Sequence, residues 1–277
     1  MHQTTRQPMS RRITACLAAV AASGIVLTTA PSASAIVGGT PVPNGKYSYV
    51  VQLEQRNADG TWGHFCGAAL IDERVVATAA HCSKWVESGH IKMRVVLGRA
   101  DMNSPRGTVV NDDAFTVYSH PEFSTATNTD LGLIVLDRPV RQRAASLPPA
   151  GSRPEPGRVL QAAGWGRTVL EDVDSKPSRM REAALSVQEF DTEGGMWDKE
   201  FLCAGTEQKR VGPGDSGGPL FAPSKSGKAV VHGLVTGDTN TCTSLFTNLA
   251  DPAIWQPFRG PLASHGLSHV PPKGARN

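Results

Sequence analysis

Short apolar runs separated by turn residues dominate this chain and leave little room for helices. Strand-like stretches recur at residues 47–53, 69–71, 93–97, 115–118 and 131–136, and again at 159–163, 184–187, 230–235 and 245–249. Many short strands with almost no 3.6-residue period argue for an all-β architecture built of barrels or sandwiches. Between the two series, residues 146–158 hold four prolines and two glycines, a poor strand and a good crossover linker. Only the stretch from Asp251 towards Gln256 reads as helical, with Asp251 placed to cap, Pro252 suited to the first turn and Pro257 cutting it short. Residues 259–277 carry no core pattern and are expected to form a flexible tail.

Residues 1–35 read as an export signal. Arg6, Arg11 and Arg12 form its positive region, an apolar stretch follows, and Ala33-Ser34-Ala35 is a small-residue cleavage site that would leave Ile36 as the new amino terminus. Removing it leaves 242 residues, a length for one large β domain or two small ones. The signal holds three of the 28 Lys and Arg and none of the 25 Asp and Glu, so the remaining chain balances at 25 against 25. That neutrality gives no reason to expect a nucleic acid or an anionic membrane as partner, and no other apolar run is long enough to span a bilayer. Of five cysteines, Cys16 lies in the signal. Cys66, Cys82, Cys203 and Cys242 remain, an even number that in an exported chain argues for two disulfides with three pairings open.

The chemistry concentrates in Gly212-Pro213-Gly214-Asp215-Ser216-Gly217-Gly218-Pro219-Leu220, a glycine-rich turn that presents one serine directly after an aspartate. A serine hydroxyl is a weak nucleophile, so such a turn needs a base and a carboxylate to orient that base. Thr78-Ala79-Ala80-His81-Cys82 offers the histidine. Asp130, at the head of the apolar run 131–136, offers the carboxylate, although Asp112 and Asp113 also precede a strand.

The order His81, Asp130, Ser216 resembles that of the chymotrypsin family of serine proteases. Ile36-Val37-Gly38-Gly39, His64-Phe65-Cys66-Gly67, Gly164-Trp165-Gly166 and Leu202-Cys203-Ala204-Gly205 add to the resemblance, which runs from Ile36 to about Trp255. It implies two six-stranded Greek-key β-barrels, residues 36–145 and 159–258, with the active site between them and a short C-terminal helix. It also implies a Ser-His-Asp endopeptidase that uses no cofactor and no metal. The backbone N–H groups of Gly214 and Ser216 would form the oxyanion hole. Thr236 would bond Asp130, and the α-amino group of Ile36 would pair with Asp215. Cys66 would pair with Cys82, leaving Cys203 to Cys242.

The chain departs from the family where the substrate side chain would sit. Register puts Arg210 at the pocket floor, where trypsin-like members carry an aspartate, and Thr236-Gly237-Asp238 replaces Ser-Trp-Gly. A cation at the floor would repel Lys and Arg and pair with Asp or Glu, unless Asp238 or Glu207 neutralises it. The expected partners are protein or peptide substrates and protein inhibitors, for a secreted monomer. Two rival readings stay open: a catalytically silent homologue that binds proteins through the cleft, and an esterase or selective processing protease.

Overall fold

The computed structural model describes residues 1–2, 36–123, 129–189, 199–223 and 228–272. The expected export signal, apart from its first two residues, lies outside that set. The chain divides into two compact units, residues 1–32 and 33–277, and among the described residues every strand and helix belongs to the second.

Its strands are β1 (Thr40–Pro41), β2 (Val50–Arg56), β3 (Trp62–Asp72), β4 (Val75–Thr78), β5 (Met93–Leu97), β6 (Thr108–Val110), β7 (Phe115–Ser119) and β8 (Gly132–Leu136). The second half adds β9 (Val159–Gly164), β10 (Arg181–Ser186), β11 (Phe201–Cys203), β12 (Pro219–Ala222), β13 (Val230–Thr239) and β14 (Cys242–Asn248). They form two antiparallel sheets, ordered β6-β5-β2-β3-β4-β8-β7 and β1-β10-β9-β12-β13-β14-β11. Each has seven strands where six were expected. The extra members are brief ones at the sheet edges, such as the three-residue β6 and the two-residue β1, and neither has the apolar pattern that marks a strand in sequence.

Two registers decide where the chemistry sits. In the first sheet β4 pairs with β8 so that Thr78 faces Gly132, which brings the segment after β4 beside the segment before β8. In the second, β13 slips against β14 on both sides of Gly237. Such bulges re-aim side chains, and these bear Thr236 and Asp238.

The sheets share a core. Apolar side chains of β2, β3, β4 and β8 pack in one cluster with Phe221, Val231, Leu234, Leu249 and Trp255 from the second half. A smaller cluster fills the second sheet around Ile36, Leu160, Leu185, Val211, Leu220 and Phe246.

Three features differ from expectation. A helix, α1 (Ala80–Glu87), follows β4. Its N-cap, Ala79, has no side-chain bond to offer; the missing acceptor is the Asp130 carboxylate, which takes the His81 N–H at 2.8 Å. Second, β1 belongs to the sheet of the second half, pairing Thr40 with Glu182. Third, residues 259–270 are packed. Asp251 accepts the Ala253 N–H at 2.9 Å and opens a 3-10 segment at Ala253–Phe258, and α2 (Arg259–Ser264) continues it beyond Pro257. Leu262, Leu267 and Val270 are buried in the larger core cluster. The apolar side chains of the tail are too sparse to form a pattern of their own, but the first sheet gives them a surface to bury against.

Candidate active site

Asp130 stands two residues before β8 and is 2% exposed. Its Oδ1 accepts the His81 backbone N–H, and its Oδ2 accepts from His81 Nδ1 at 2.8 Å. The Thr236 hydroxyl donates to the same Oδ2. A carboxylate can only accept, so the His81 proton sits on Nδ1 and Nε2 is left with its lone pair, the tautomer a general base needs. Gly132 lets this happen at close range: a Cβ there would lie 2.2 Å from Ser83 Oγ, inside the helix that carries His81.

The Ser216 turn is anchored on both sheets. Gly67 on β3 donates its N–H to the Ser216 carbonyl at 2.7 Å, and Gly217 donates to Val235 on β13 at 2.7 Å. Within the turn Asp215 N–H reaches Gly212 and Gly218 N–H reaches Asp215. Gly214 has φ of 100°, which favours glycine. Its carbonyl accepts from His64 Nε2 at 2.8 Å. Loss of water around the ring pushes the His64 pKa down to about 4, so the imidazole is neutral and its Nε2–H is the donor. That bond holds the Gly214–Asp215 peptide, the one that follows the Gly214 N–H in the chain. Among the described residues neither the Gly214 nor the Ser216 N–H bonds another backbone group. In sequence His64 stands out only as part of a motif. Its place two residues before Cys66 is the signal that could have found it.

The disulfide Cys66–Cys82 ties β3 to α1 beside His81, and Cys203–Cys242 ties β11 to β14. The sulfurs of Cys66 and Cys82 lie with His81 in a tight group, but they are bonded to each other and offer no thiolate to a metal. Among the described residues no hydrogen bond joins Ser216 Oγ to His81. Such contacts often tighten only when substrate arrives.

Asp215 is 1% exposed. Its Oδ1 accepts from Gly166 N–H at 2.8 Å and its Oδ2 from Gly212 N–H at 3.0 Å. Desolvation nevertheless pushes its pKa up to about 7, with the two amides pulling the other way. Ile36 is fully buried in the smaller core cluster with φ of 48°, a left-handed conformation that β-branched residues avoid. The next residue, Val37, bridges to Arg210.

Arg210 lies in the wall of a cavity of about 240 Å³ that also touches Ser216, Val211, Val235, Gly237 and Asp238. Its guanidinium is already engaged, by Glu207 Oε2 at 3.2 Å and Asp238 Oδ2 at 2.7 Å.

The family model described as Trypsin matches residues 36–255. Proproteinase E of Bos taurus is 31% identical over 222 residues, covering 74% of this chain and 84% of its own length. Granzyme F of Mus musculus is 30% identical, over 76% of this chain and 86% of its own. Chymotrypsin-like elastase family member 3B of Homo sapiens is 30% identical, over 82% and 87%.

Proposed function

This chain belongs to the trypsin family of serine proteases, and from that membership we propose that it is a secreted endopeptidase working through an acyl-enzyme on Ser216. The observation that carries the reading is the His81–Asp130 pair, made at 2.8 Å with Nε2 left as the base. As Ser216 Oγ attacks the scissile carbonyl carbon, His81 Nε2 takes the hydroxyl proton. The imidazolium that forms is stabilised by Asp130, which Thr236 holds from the other side. The oxyanion faces the N–H groups of Gly214 and Ser216, and one such donor is worth about 3–4 kcal/mol in the transition state. His81 then passes its proton to the leaving amine as the C–N bond breaks. Water, deprotonated by the same nitrogen, then attacks the acyl carbon, the bond from that carbon to Ser216 Oγ breaks, and His81 returns the proton to Oγ.

Export would set the enzyme working. Cleavage after Ala35 turns the Ile36 amide into an ammonium, which supplies Asp215 with the cation that its buried carboxylate calls for. The same cut removes the carbonyl carbon that defines φ at Ile36, so the left-handed strain vanishes with the bond. Because Val37 bridges Arg210, docking of this terminus also supports the substrate pocket. Arg210 in that pocket argues against Lys or Arg before the cut bond. Protein and peptide substrates follow from the family; protein inhibitors acting at the cleft and a monomeric state are further parts of the proposal.

A fluorophosphonate probe tests it. The mature protein should be labelled at Ser216, and His81→Ala should abolish the labelling, because an unassisted hydroxyl reacts negligibly. Folded mature protein that stays unlabelled at neutral pH would instead be a silent homologue.

A further inference from the structure

The cavity beside Ser216 contains its own charged occupants. Arg210 is the buried partner, its side chain 10% exposed, whereas Glu207 and Asp238 are 69% and 62% exposed and reach in from the rim. One guanidinium with two carboxylates leaves the cluster at a net charge of −1. An incoming Asp or Glu side chain would have to displace Asp238 from its 2.7 Å contact and would meet a surplus of its own charge. An incoming Lys or Arg would meet the buried guanidinium, while the carboxylates that outnumber it are exposed at the rim, screened by water and already bound to Arg210. A large ring gains little either, since Gly237 in the lining has no side chain to pack against it. What remains favoured is a short uncharged side chain lying on Val211 and Val235.

We infer that Asp238 is a built-in occupant of Arg210 that makes this pocket select small, uncharged residues before the cut bond, and that masks a latent preference for Asp and Glu. Asp238 is the specificity-determining residue because it is the closer of the two carboxylates and lies within the cavity wall itself. Its position inside the β13 register shift between Gly237 and Thr239 lets its side chain turn toward Arg210. The inference rests on the endopeptidase reading, and its test keeps the two apart.

The test uses mature protein and matched peptide substrates that differ only in Ala, Glu or Lys before the cut bond, read as kcat/KM. Wild type should favour Ala over both charged residues by tenfold or more. Asp238→Asn, at an exposed site that tolerates polar exchange, should raise the Glu-to-Ala ratio at least tenfold. Arg210→Met should raise the Lys-to-Ala ratio instead, since it leaves two carboxylates without their cation. A wild type that prefers Glu to Ala, or an Asp238→Asn ratio that stays where it was, overturns the inference. If wild type takes up no fluorophosphonate, the endopeptidase reading fails by itself. The same peptides, fluorescently tagged and titrated onto the protein, then decide the pocket question through their affinity ratios, with Asp238→Asn required to move Glu against Ala in the same direction.

Discussion

A carboxyl group sealed from water is hard to ionise, and at Asp215 two amide donors and the charge of Lys176 offset only part of that cost. Its folded pKa of about 7 lies above the unfolded carboxylate value, so the folded state binds the proton more tightly. The stability this confers is complete below the unfolded pKa and is lost as pH rises through the folded one. In a chain kept continuous across the Ala35–Ile36 bond, the melting temperature should therefore fall between pH 4 and pH 7 by more than it does in the cut protein, where the proposed pairing would give the carboxylate an ammonium. Asp215→Asn in the continuous chain should remove that difference. Thermal unfolding across the range measures it, and equal slopes in cut and continuous chains would refute the pairing. The pairing was expected from a motif; the strained φ of Ile36 could not be, since a torsion leaves no mark on composition.

At the scale of elements, the local signals in the sequence were readable and the remote ones were not. The strands β5 and β8 announced themselves because Val, Leu and Ile dominate them and nearly every residue is buried. The helix α1 did not, because its first turn is capped by Asp130, 49 residues away in sequence. A cap drawn from another element has no local spelling. The same double duty gives a prediction. Asp130→Asn keeps an amide oxygen for the His81 N–H, so stability should change by no more than about 1 kcal/mol, the typical value of a cap. Its NH2 would donate to Nδ1 and force the proton onto Nε2. Activity should fall about 10⁴-fold, the order typical of a triad whose histidine is in the wrong tautomer. Urea unfolding beside ester hydrolysis separates the two effects; a stability loss that matches the activity loss would mean that the carboxylate serves only to hold α1. Arg210 is a related case. Asp238 could be named from the sequence as one possible neutraliser, but only the fold makes Glu207 and Asp238 act on it together.

Across the whole molecule, each half carries a piece of the other. Residues 40–41 join the second sheet, and the segment after Phe258 packs into the core shared with the first. The Trp165 indole donates to Ala100 at 3.1 Å, and Asp101 bridges Arg179, so the halves are also stitched midway. The tail defied the sequence reading because Leu262, Leu267 and Val270 are scattered among Gly, Pro, Ser and His, and only a partner surface gives them meaning. Leu262 is fully buried, so Leu262→Ala should cost about 2–5 kcal/mol. Denaturant unfolding reads this directly, and a loss under about 0.5 kcal/mol would mean that the tail is not packed in solution. Arg74 joins that tail to the first sheet, donating to Leu136 on β8 at 3.0 Å and to the His265 carbonyl at 3.2 Å. The far end of the chain thus leans on the strand pair that holds His81 and Asp130 in register. Trimming the segment that carries His265 would therefore loosen a contact made 191 residues earlier in the chain, at Arg74.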